Sequence, residues 1–196
     1  MADSLSRRQL LGRAAGAAAT LVVSQSIMGC SSSTENDGGE VVDGCVLTAS
    51  LTEGPYFVDE RLNRSDIRAD PTTGAGATRR FLRGYQITDA SGVAHFTTIY
   101  PGWYMGRAVH VHFKLRLIAG ATTTYEFTSQ FFFNESVTDT VHALAPYSSK
   151  GPRDTRNSND GIYNGLSSSA REALTLQTSQ NGAMYSGIID LSVRVG

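Results

Sequence analysis

Within residues 108–118 (AVHVHFKLRLI), side chains alternate almost strictly between apolar and polar from Val109 to Leu117, and this period of two constrains the fold more than any other feature. Successive side chains of a β-strand point to opposite faces, so the apolar residues share one face while His110 and His112 share the other. Gly120 ends the run, and residues 123–133 (TTYEFTSQFFF) supply a return strand. The sequence therefore predicts a β-hairpin that carries two imidazoles on one face.

Three further stretches have the texture of short strands, at residues 81–88, 93–100 and 185–195. Turn residues separate them, and a short helix is predicted over residues 135–143. Several short strands with turn signals between them are typical of an all-β domain. We predict a β-sandwich of mainly antiparallel strands that occupies residues 45–196.

The composition excludes some partners. The chain has 196 residues, a formal net charge of −1 and 18% charged residues. Nucleic-acid binding needs a basic field, and this charge balance does not supply one. We therefore expect small molecules or further copies of the chain as partners, and no nucleic acid.

The N-terminus has the pattern of an export signal. Arg7 and Arg8 form a twin-arginine pair, and the apolar residues 14–23 follow. This stretch is too short and too interrupted to span a membrane, which takes roughly 20 apolar residues. Residues 27–30 (IMGC) also resemble a bacterial lipobox, in which Cys30 would be lipidated and become the first residue. A plain signal peptide cleaved elsewhere is the alternative.

These features divide the chain into three parts: a twin-arginine or lipoprotein-type signal over residues 1–30, a polar tether over residues 31–44, and a domain over residues 45–196. The chain is predicted to reach the cell envelope by the twin-arginine route, with a lipid anchor as its only membrane contact. Cys45 would then be a lone thiol, which is unusual in an exported protein.

The two histidines gain significance from their neighbours. Taken alone, a pair of histidines two apart on a strand is more typical of a solvated face than of a metal site. Tyr104 and Arg107 lie just upstream, after a Pro-Gly turn that can fold the phenol back over the strand. Imidazole binds iron, copper and zinc alike, but a phenolate is a hard anionic ligand that favours Fe(III). A hydrolytic zinc or copper site remains an alternative.

The same region resembles a known family. The motif P-G-W-Y followed by R-x-x-H-x-H, in residues 101–112, closely resembles intradiol ring-cleavage dioxygenases of the protocatechuate 3,4-dioxygenase and catechol 1,2-dioxygenase group. Exported relatives with twin-arginine signals are the most similar. The likeness extends over nearly all of the predicted domain, and its other stretches are residues 52–56 (TEGPY), 62–68 (LNRSDIR), 81–89 (FLRGYQITD), 129–133 (SQFFF) and 151–157 (GPRDTRN).

The resemblance implies a non-haem Fe(III) ion bound by two tyrosines and two histidines. Tyr104, His110 and His112 match three of these four ligands. The implied reaction inserts both atoms of O₂ between the two hydroxylated carbons of a catechol-type aromatic.

The resemblance also implies roles for residues around the metal. Arg107 matches an arginine that stabilises the substrate, and Gln130 matches a glutamine of the pocket near it. We also expect Tyr56 to line the substrate pocket. The substrate class is then a catechol together with O₂, and the resemblance allows a homodimer.

One part of the family pattern is missing. The second tyrosine ligand would lie between Pro71 and Phe81, but no tyrosine occurs between Tyr56 and Tyr85. A segment with one or two strands is therefore expected to be absent, and its cysteines would explain the unpaired Cys45.

Three interpretations stay open. The chain is an inactive product of an internal deletion, or it binds iron with a substitute for the missing tyrosine. In the third interpretation it is a non-catalytic envelope β-sandwich lipoprotein that binds aromatics or a protein partner.

Overall fold

The computed structural model describes the backbone of residues 18–24, 41–42, 45–69 and 80–195, and side chains from residue 46 onward within these ranges. Its strands are β1 (Ala18–Ser24), β2 (Val41–Val42), β3 (Cys45–Val46), β4 (Val93–Ile99), β5 (His110–Ala119), β6 (Thr122–Phe132), β7 (Gln177–Asn181) and β8 (Met184–Asp190). Its α-helices are α1 (Glu135–His142), α2 (Gly161–Gly165) and α3 (Ser168–Ala173). Short 3₁₀ turns cover Tyr147–Lys150 and Asn157–Asn159.

The predicted hairpin is present as an antiparallel pair of β5 and β6, the longest strands described. Its register places His110 opposite Phe132 and His112 opposite Gln130. Residues directly opposite each other in an antiparallel pair share a face. The two histidines, Phe132 and Gln130 therefore lie on one face, which we call the site face.

The other face of the hairpin packs into the main hydrophobic core. Phe131 of β6 and Ile189 of β8 are almost fully buried in the same cluster, and Val111 and Phe113 of β5 pack against it. Apolar residues of the hairpin thus meet the strand β8, which belongs to a separate sheet. Removal of this apolar surface from water is the main force that fixes the hairpin in place.

The second sheet has four strands in the order β4-β1-β8-β7. Strand β1 pairs antiparallel with β4 through seven residue pairs and parallel with β8 through six. It lies within the predicted export signal, so part of that segment forms a strand here. Cys30 and most of the predicted tether lie outside the described residues.

The predicted all-β character is confirmed as a strand-rich chain with small, mainly antiparallel sheets. The predicted helix over residues 135–143 is present as α1, with Asn134 as its N-cap. None of the helices in the described ranges is long and apolar enough to span a membrane.

The strand predicted over residues 81–88 is wrong. This stretch makes only an isolated bridge, between Tyr85 and Asn63. Leu82 adopts a left-handed backbone conformation with φ of 58°, which interrupts an extended strand. The turn that follows is present, because Asp89 accepts hydrogen bonds from the backbone amides of Ser91 and Val93.

The position of β1 predicts that the N-terminal segment stabilises the domain. Without β1, the edges of β4 and β8 lose their partner and are exposed to solvent. Each backbone hydrogen bond contributes about 0.5–1.5 kcal/mol, so we expect a loss of several kcal/mol. A chain that lacks residues 1–29 should melt about 10 °C lower than a chain that lacks only residues 1–12, measured by circular dichroism on both purified proteins.

The shorter truncation is the control, because it removes the twin-arginine pair from both proteins and leaves β1 intact. Equal melting temperatures would show that β1 is not part of the folded sheet in solution.

Candidate metal centre

The two histidines of β5 meet at their ring nitrogens. His110 and His112 lie two residues apart on one strand and therefore face the same side. Their Nε2 atoms are 3.1 Å apart, and the ring centroids are 4.8 Å apart. The side of the His110 ring lies against the fully buried Phe132.

A phenol joins the two imidazoles. Tyr104 forms a bridge with Arg107 across a tight turn that contains Gly106 at φ of 83°, so the chain reverses just before β5. The turn brings the Tyr104 Oη to 3.2 Å from the His110 Nε2, with the two rings edge to face. Tyr104 is 46% exposed, so it lies at the open side of the cluster. The structure therefore brings together the three predicted ligands.

The backbone fixes which nitrogen of His110 is free. Its Nδ1 lies 2.7 Å from the carbonyl oxygen of Ala108. A carbonyl can only accept, so Nδ1 carries the proton and Nε2 presents its lone pair toward His112 and Tyr104. A backbone partner of this kind is the usual support for a metal-binding histidine.

The separations within the cluster fit a single metal ion. For a metal ion about 2.0–2.1 Å from each donor, the Tyr104–His110 and His110–His112 separations give donor–metal–donor angles of about 100°. Such angles suit four- to six-coordinate geometry. No group of three His, Cys, Asp or Glu side chains that could hold a metal occurs among the described residues. The candidate donor set is therefore mixed, with two imidazoles and one phenol.

Both imidazoles are neutral at pH 7, which is the form that binds metals. Burial lowers the pKa of His110 to about 4, although its hydrogen bond with Ala108 acts in the opposite direction. The pKa of His112 is also lowered, first by loss of water around its ring and then by the charge of Arg107. The Arg107 cation contributes to both shifts in the same direction.

Residues 52–59 lie along the site face, and Gly54 contacts the His112 ring, which is otherwise exposed. Gly54 adopts φ of 79°, and a Cβ on it would lie 2.9 Å from Cε1 of His112. Only glycine fits this position without a shift. Sequence reasoning identified the TEGPY stretch but missed the role of Gly54.

Charged side chains of β5 hold this segment in place. Lys114 pairs with Glu53 at 2.6 Å, and Arg116 pairs with Asp59 at 2.8 Å. The ammonium group of Lys114 also lies 4.6 Å from the ring centroid of Phe57. Lys114 and Arg116 follow His112 on the same face of β5. One strand therefore carries both candidate histidine ligands and the cations that bind residues 52–59.

Arg107 lies between two acceptors. Its Nε donates to Asp160 Oδ2 at 2.8 Å, and its Nη2 donates to Gln130 Oε1 at 2.7 Å. Gln130 is fully buried, and its Nε2 donates to the carbonyl of Thr52 at 2.9 Å. The two predicted catalytic residues, Arg107 and Gln130, are thus hydrogen-bonded to each other, and Gln130 is also bonded to Thr52, at the start of residues 52–59.

Sequence reasoning missed Asp160. This carboxylate is fully buried and accepts from the backbone amide of Ala108 as well as from Arg107. Its other oxygen caps helix α2 through the amides of Ile162 and Tyr163. Burial raises its pKa, but these hydrogen bonds outweigh that effect and the net pKa is lowered. The D-G-I-Y stretch is an N-cap signal, although it does not indicate contact with Arg107.

Tyr56 lies apart from the donor cluster. Its side chain is 79% exposed, and its backbone carbonyl accepts from Nη2 of Arg83 at 3.1 Å. The ring contacts none of the three donors in the described structure, so its role in a substrate pocket stays a prediction. Cys30 lies outside the described residues.

A shallow, open cavity of about 490 Å³ is lined by residues of α1, α2, α3 and the neighbouring loops. Its wall includes Glu135, Tyr163 and Arg171, and the Tyr163 ring contacts Phe132 with 4.8 Å between centroids. The wall contains none of the three donors of the cluster. The chemistry of this cavity is therefore distinct from that of the cluster.

Solved structures with a similar fold are dioxygenases. An intradiol ring-cleavage dioxygenase from Tetranychus urticae matches with a TM-score of 0.64 and 24% sequence identity, covering 76% of this chain and 95% of that chain. A second dioxygenase crystal structure matches with a TM-score of 0.61 and the same identity and coverage. No family model matches the chain, and no curated protein matches it by sequence. The predicted resemblance is confirmed at the level of the fold.

The contact between Gly54 and His112 predicts that alanine at this position disturbs the cluster. The added Cβ must displace the His112 ring, and φ of 79° costs a non-glycine residue about 1–2 kcal/mol. We expect Gly54→Ala to weaken iron binding about 10-fold or more, measured by competition with a chelator.

Gly102→Ala is the matched control, because a Cβ on Gly102 would meet nothing within 4 Å. Equal iron affinities for the two variants would contradict the proposed contact.

Proposed function

We propose that this chain is an intradiol-type dioxygenase that uses a non-haem Fe(III) ion to insert O₂ between the hydroxylated carbons of a catechol-type aromatic. The observation that carries the proposal is the position of His110 Nε2, which lies 3.2 Å from Tyr104 Oη and 3.1 Å from His112 Nε2. The shared fold with dioxygenases supports it, and with it the two-sheet sandwich predicted from the sequence.

The two histidines would form the fixed part of the iron site. His110 is held by the carbonyl of Ala108 on one side and by Phe132 on the other. His112 is held beneath Gly54. Bound Fe(III) would supply Lewis acidity that favours loss of both catechol protons, and the deprotonated ring is electron-rich enough for O₂ to attack.

Tyr104 would form the mobile part of the site. It lies on a turn rather than on the strand, and nearly half of its surface is exposed. A chelating catechol brings two oxygens and must lose protons as it binds. If Tyr104 holds the metal as a phenolate, its Oη would take up one of these protons and become a neutral phenol as the side chain turns away from the cluster.

Arg107 would stabilise negative charge on the bound aromatic. A guanidinium has five N–H donors, and Arg107 uses two of them for Asp160 and Gln130. The remaining donors can hydrogen-bond an oxyanion of the substrate beside His112. A fixed cation at the place where charge develops is a large term in such catalysis.

The donor set is one protein ligand short of the four that the resemblance implies. A second tyrosine is not among the donors that converge in the described part of the chain. Loss of a residue that hydrogen-bonds a metal ligand typically lowers metal affinity about 10–100-fold. Loss of an anionic ligand itself should lower the affinity at least as much. We propose that iron binds to three protein donors, with solvent or substrate oxygens in the other positions.

The cellular setting is part of the proposal. The twin-arginine pair at Arg7 and Arg8 supports export to the cell envelope. A lipid anchor at Cys30 would require cleavage before that residue and so would remove β1, which leaves the anchored form with the stability of the chain that lacks residues 1–29. In this setting the substrates would be an aromatic diol and O₂, and a homodimer is compatible with the shared fold. If iron does not bind, a non-catalytic envelope protein that binds aromatics is the alternative.

The proposal predicts a coloured protein. Purified chain loaded anaerobically with iron and reoxidised should turn red-brown, because a phenolate transfers charge to ferric iron. Tyr104→Phe should lose most of this visible absorbance. Tyr85→Phe is the matched control, because Tyr85 is 44% exposed and lies outside the cluster, so its colour should persist.

A protein that stays colourless after iron loading and reoxidation would contradict the proposal that it binds Fe(III) through a tyrosine. Colour that survives in Tyr104→Phe would refute Tyr104 as the ligand while leaving iron binding intact.

A further inference from the structure

The buried carboxylate of Asp160 has more hydrogen bonds than a helix cap requires. Oδ1 accepts the two amide protons at the start of α2, at 2.8 and 2.9 Å, and this completes a helix cap. Oδ2 faces the other way and accepts from the amide of Ala108 at 2.7 Å and from Nε of Arg107 at 2.8 Å. The carboxylate is 0% exposed, so water cannot substitute for any of these partners.

We propose that Asp160 is the positioning residue of the substrate-binding cation: through Oδ2 it fixes the Arg107 guanidinium so that its free N–H edge faces an anionic oxygen ligand beside His112. The inference rests on the proposed function for the identity of that ligand, a catecholate. It assigns to Asp160 a role that its sequence context, a helix cap, does not indicate.

The geometry around the guanidinium supports this role. Asp160 takes Nε and Gln130 takes one proton of Nη2, so both contacts lie on one side of the planar group. Nη1 makes no hydrogen bond to any described residue, and the side chain is 18% exposed. Two acceptors on one edge fix the plane of the group, and its other edge remains available.

The location of that edge follows from its neighbours. Gln130 lies directly opposite His112 in the hairpin. Nη2 of Arg107 donates to Oε1 of Gln130 at 2.7 Å, so the guanidinium lies on the site face beside His112. A ligand that binds at the three donors therefore meets the guanidinium.

Burial explains why Asp160 is needed. An arginine held only by a neutral amide would keep its rotamer freedom and would lose hydrogen-bond strength. A buried carboxylate provides a charge-assisted hydrogen bond in surroundings of low dielectric, where it holds the group firmly. The three backbone amides that Asp160 also accepts keep the carboxylate itself in one orientation.

The test is a double-mutant cycle on the full chain loaded with iron. The variants are Asp160→Asn, Arg107→Lys and the double variant, and the probe is 4-nitrocatechol titrated under visible absorption. Asn keeps one oxygen for the helix cap but turns an amide NH2 group toward Arg107 and toward the backbone amide of Ala108. Lys keeps the charge but has no planar fork.

We expect Asp160→Asn to weaken 4-nitrocatechol binding about 10-fold and to change iron affinity less than 3-fold. In the Arg107→Lys background the same substitution should add nothing, because groups that act as a unit are not additive. Ser167→Ala is the control, since Ser167 caps α3 as Asp160 caps α2, and its probe affinity should equal that of the unmodified chain. An effect of equal size in both backgrounds would overturn the inference.

A second measurement does not depend on iron or on the folding of the Asp160 variant. In the unmodified, metal-free chain, NMR should show an Arg107 Nε proton that exchanges at least ten times more slowly than that of an exposed arginine such as Arg68. Arg107→Lys assigns the signal by removing it. Rapid exchange at Arg107 would overturn the inference.

The two measurements separate the failures. If the unmodified chain binds no iron or no 4-nitrocatechol, the proposed function fails, and the exchange rate alone decides whether Asp160 holds Arg107. If the probe binds and the cycle is additive, the proposed function stands and the role of Asp160 fails.

Discussion

The antiparallel pairing of β5 with β6 is the constraint on which the rest of the site depends. Its register sets Gln130 opposite His112 and Phe132 opposite His110 on one face. The opposite face is buried with β8, so a slip of β5 by one residue would move His110 and His112 into the core and Val111 and Phe113 onto the site face. Hydrophobic packing on one side of the hairpin thus fixes the chemistry on the other side.

Around this hairpin, buried polar contacts convert the face into a site. Asp160 reaches Arg107 directly and reaches His110 through the Ala108 peptide, whose amide it binds and whose carbonyl accepts from the imidazole. Gln130 accepts a hydrogen bond from the same arginine and donates one to the carbonyl of Thr52, at the start of the segment that contacts His112. A network with every partner satisfied is rigid, and one with a missing partner is costly. The guanidinium of Arg107 and the start of the segment beside His112 are therefore held by one connected set of hydrogen bonds.

The sequence predicts the parts of this site that depend on periodicity. Alternation along residues 108–118 predicts the strand and the shared face of His110 and His112, because the side-chain period of a strand is two. The strand predicted over residues 81–88 failed because a left-handed Leu82, which no local pattern indicates, interrupts it.

The remaining parts depend on contacts between residues that are distant in sequence. Asp160 lies 53 residues from Arg107, and its own sequence context indicates only a helix cap. The position of β1 between β4 and β8 likewise depends on tertiary pairing that the apolar residues 14–23 do not indicate by themselves.

The proposed iron site is tested most directly by a crystal structure of the iron-loaded chain with anomalous data at the iron edge. It should show one iron within about 2.3 Å of Tyr104 Oη, His110 Nε2 and His112 Nε2. Iron bound elsewhere, or absent from crystals soaked in excess metal, would contradict the account.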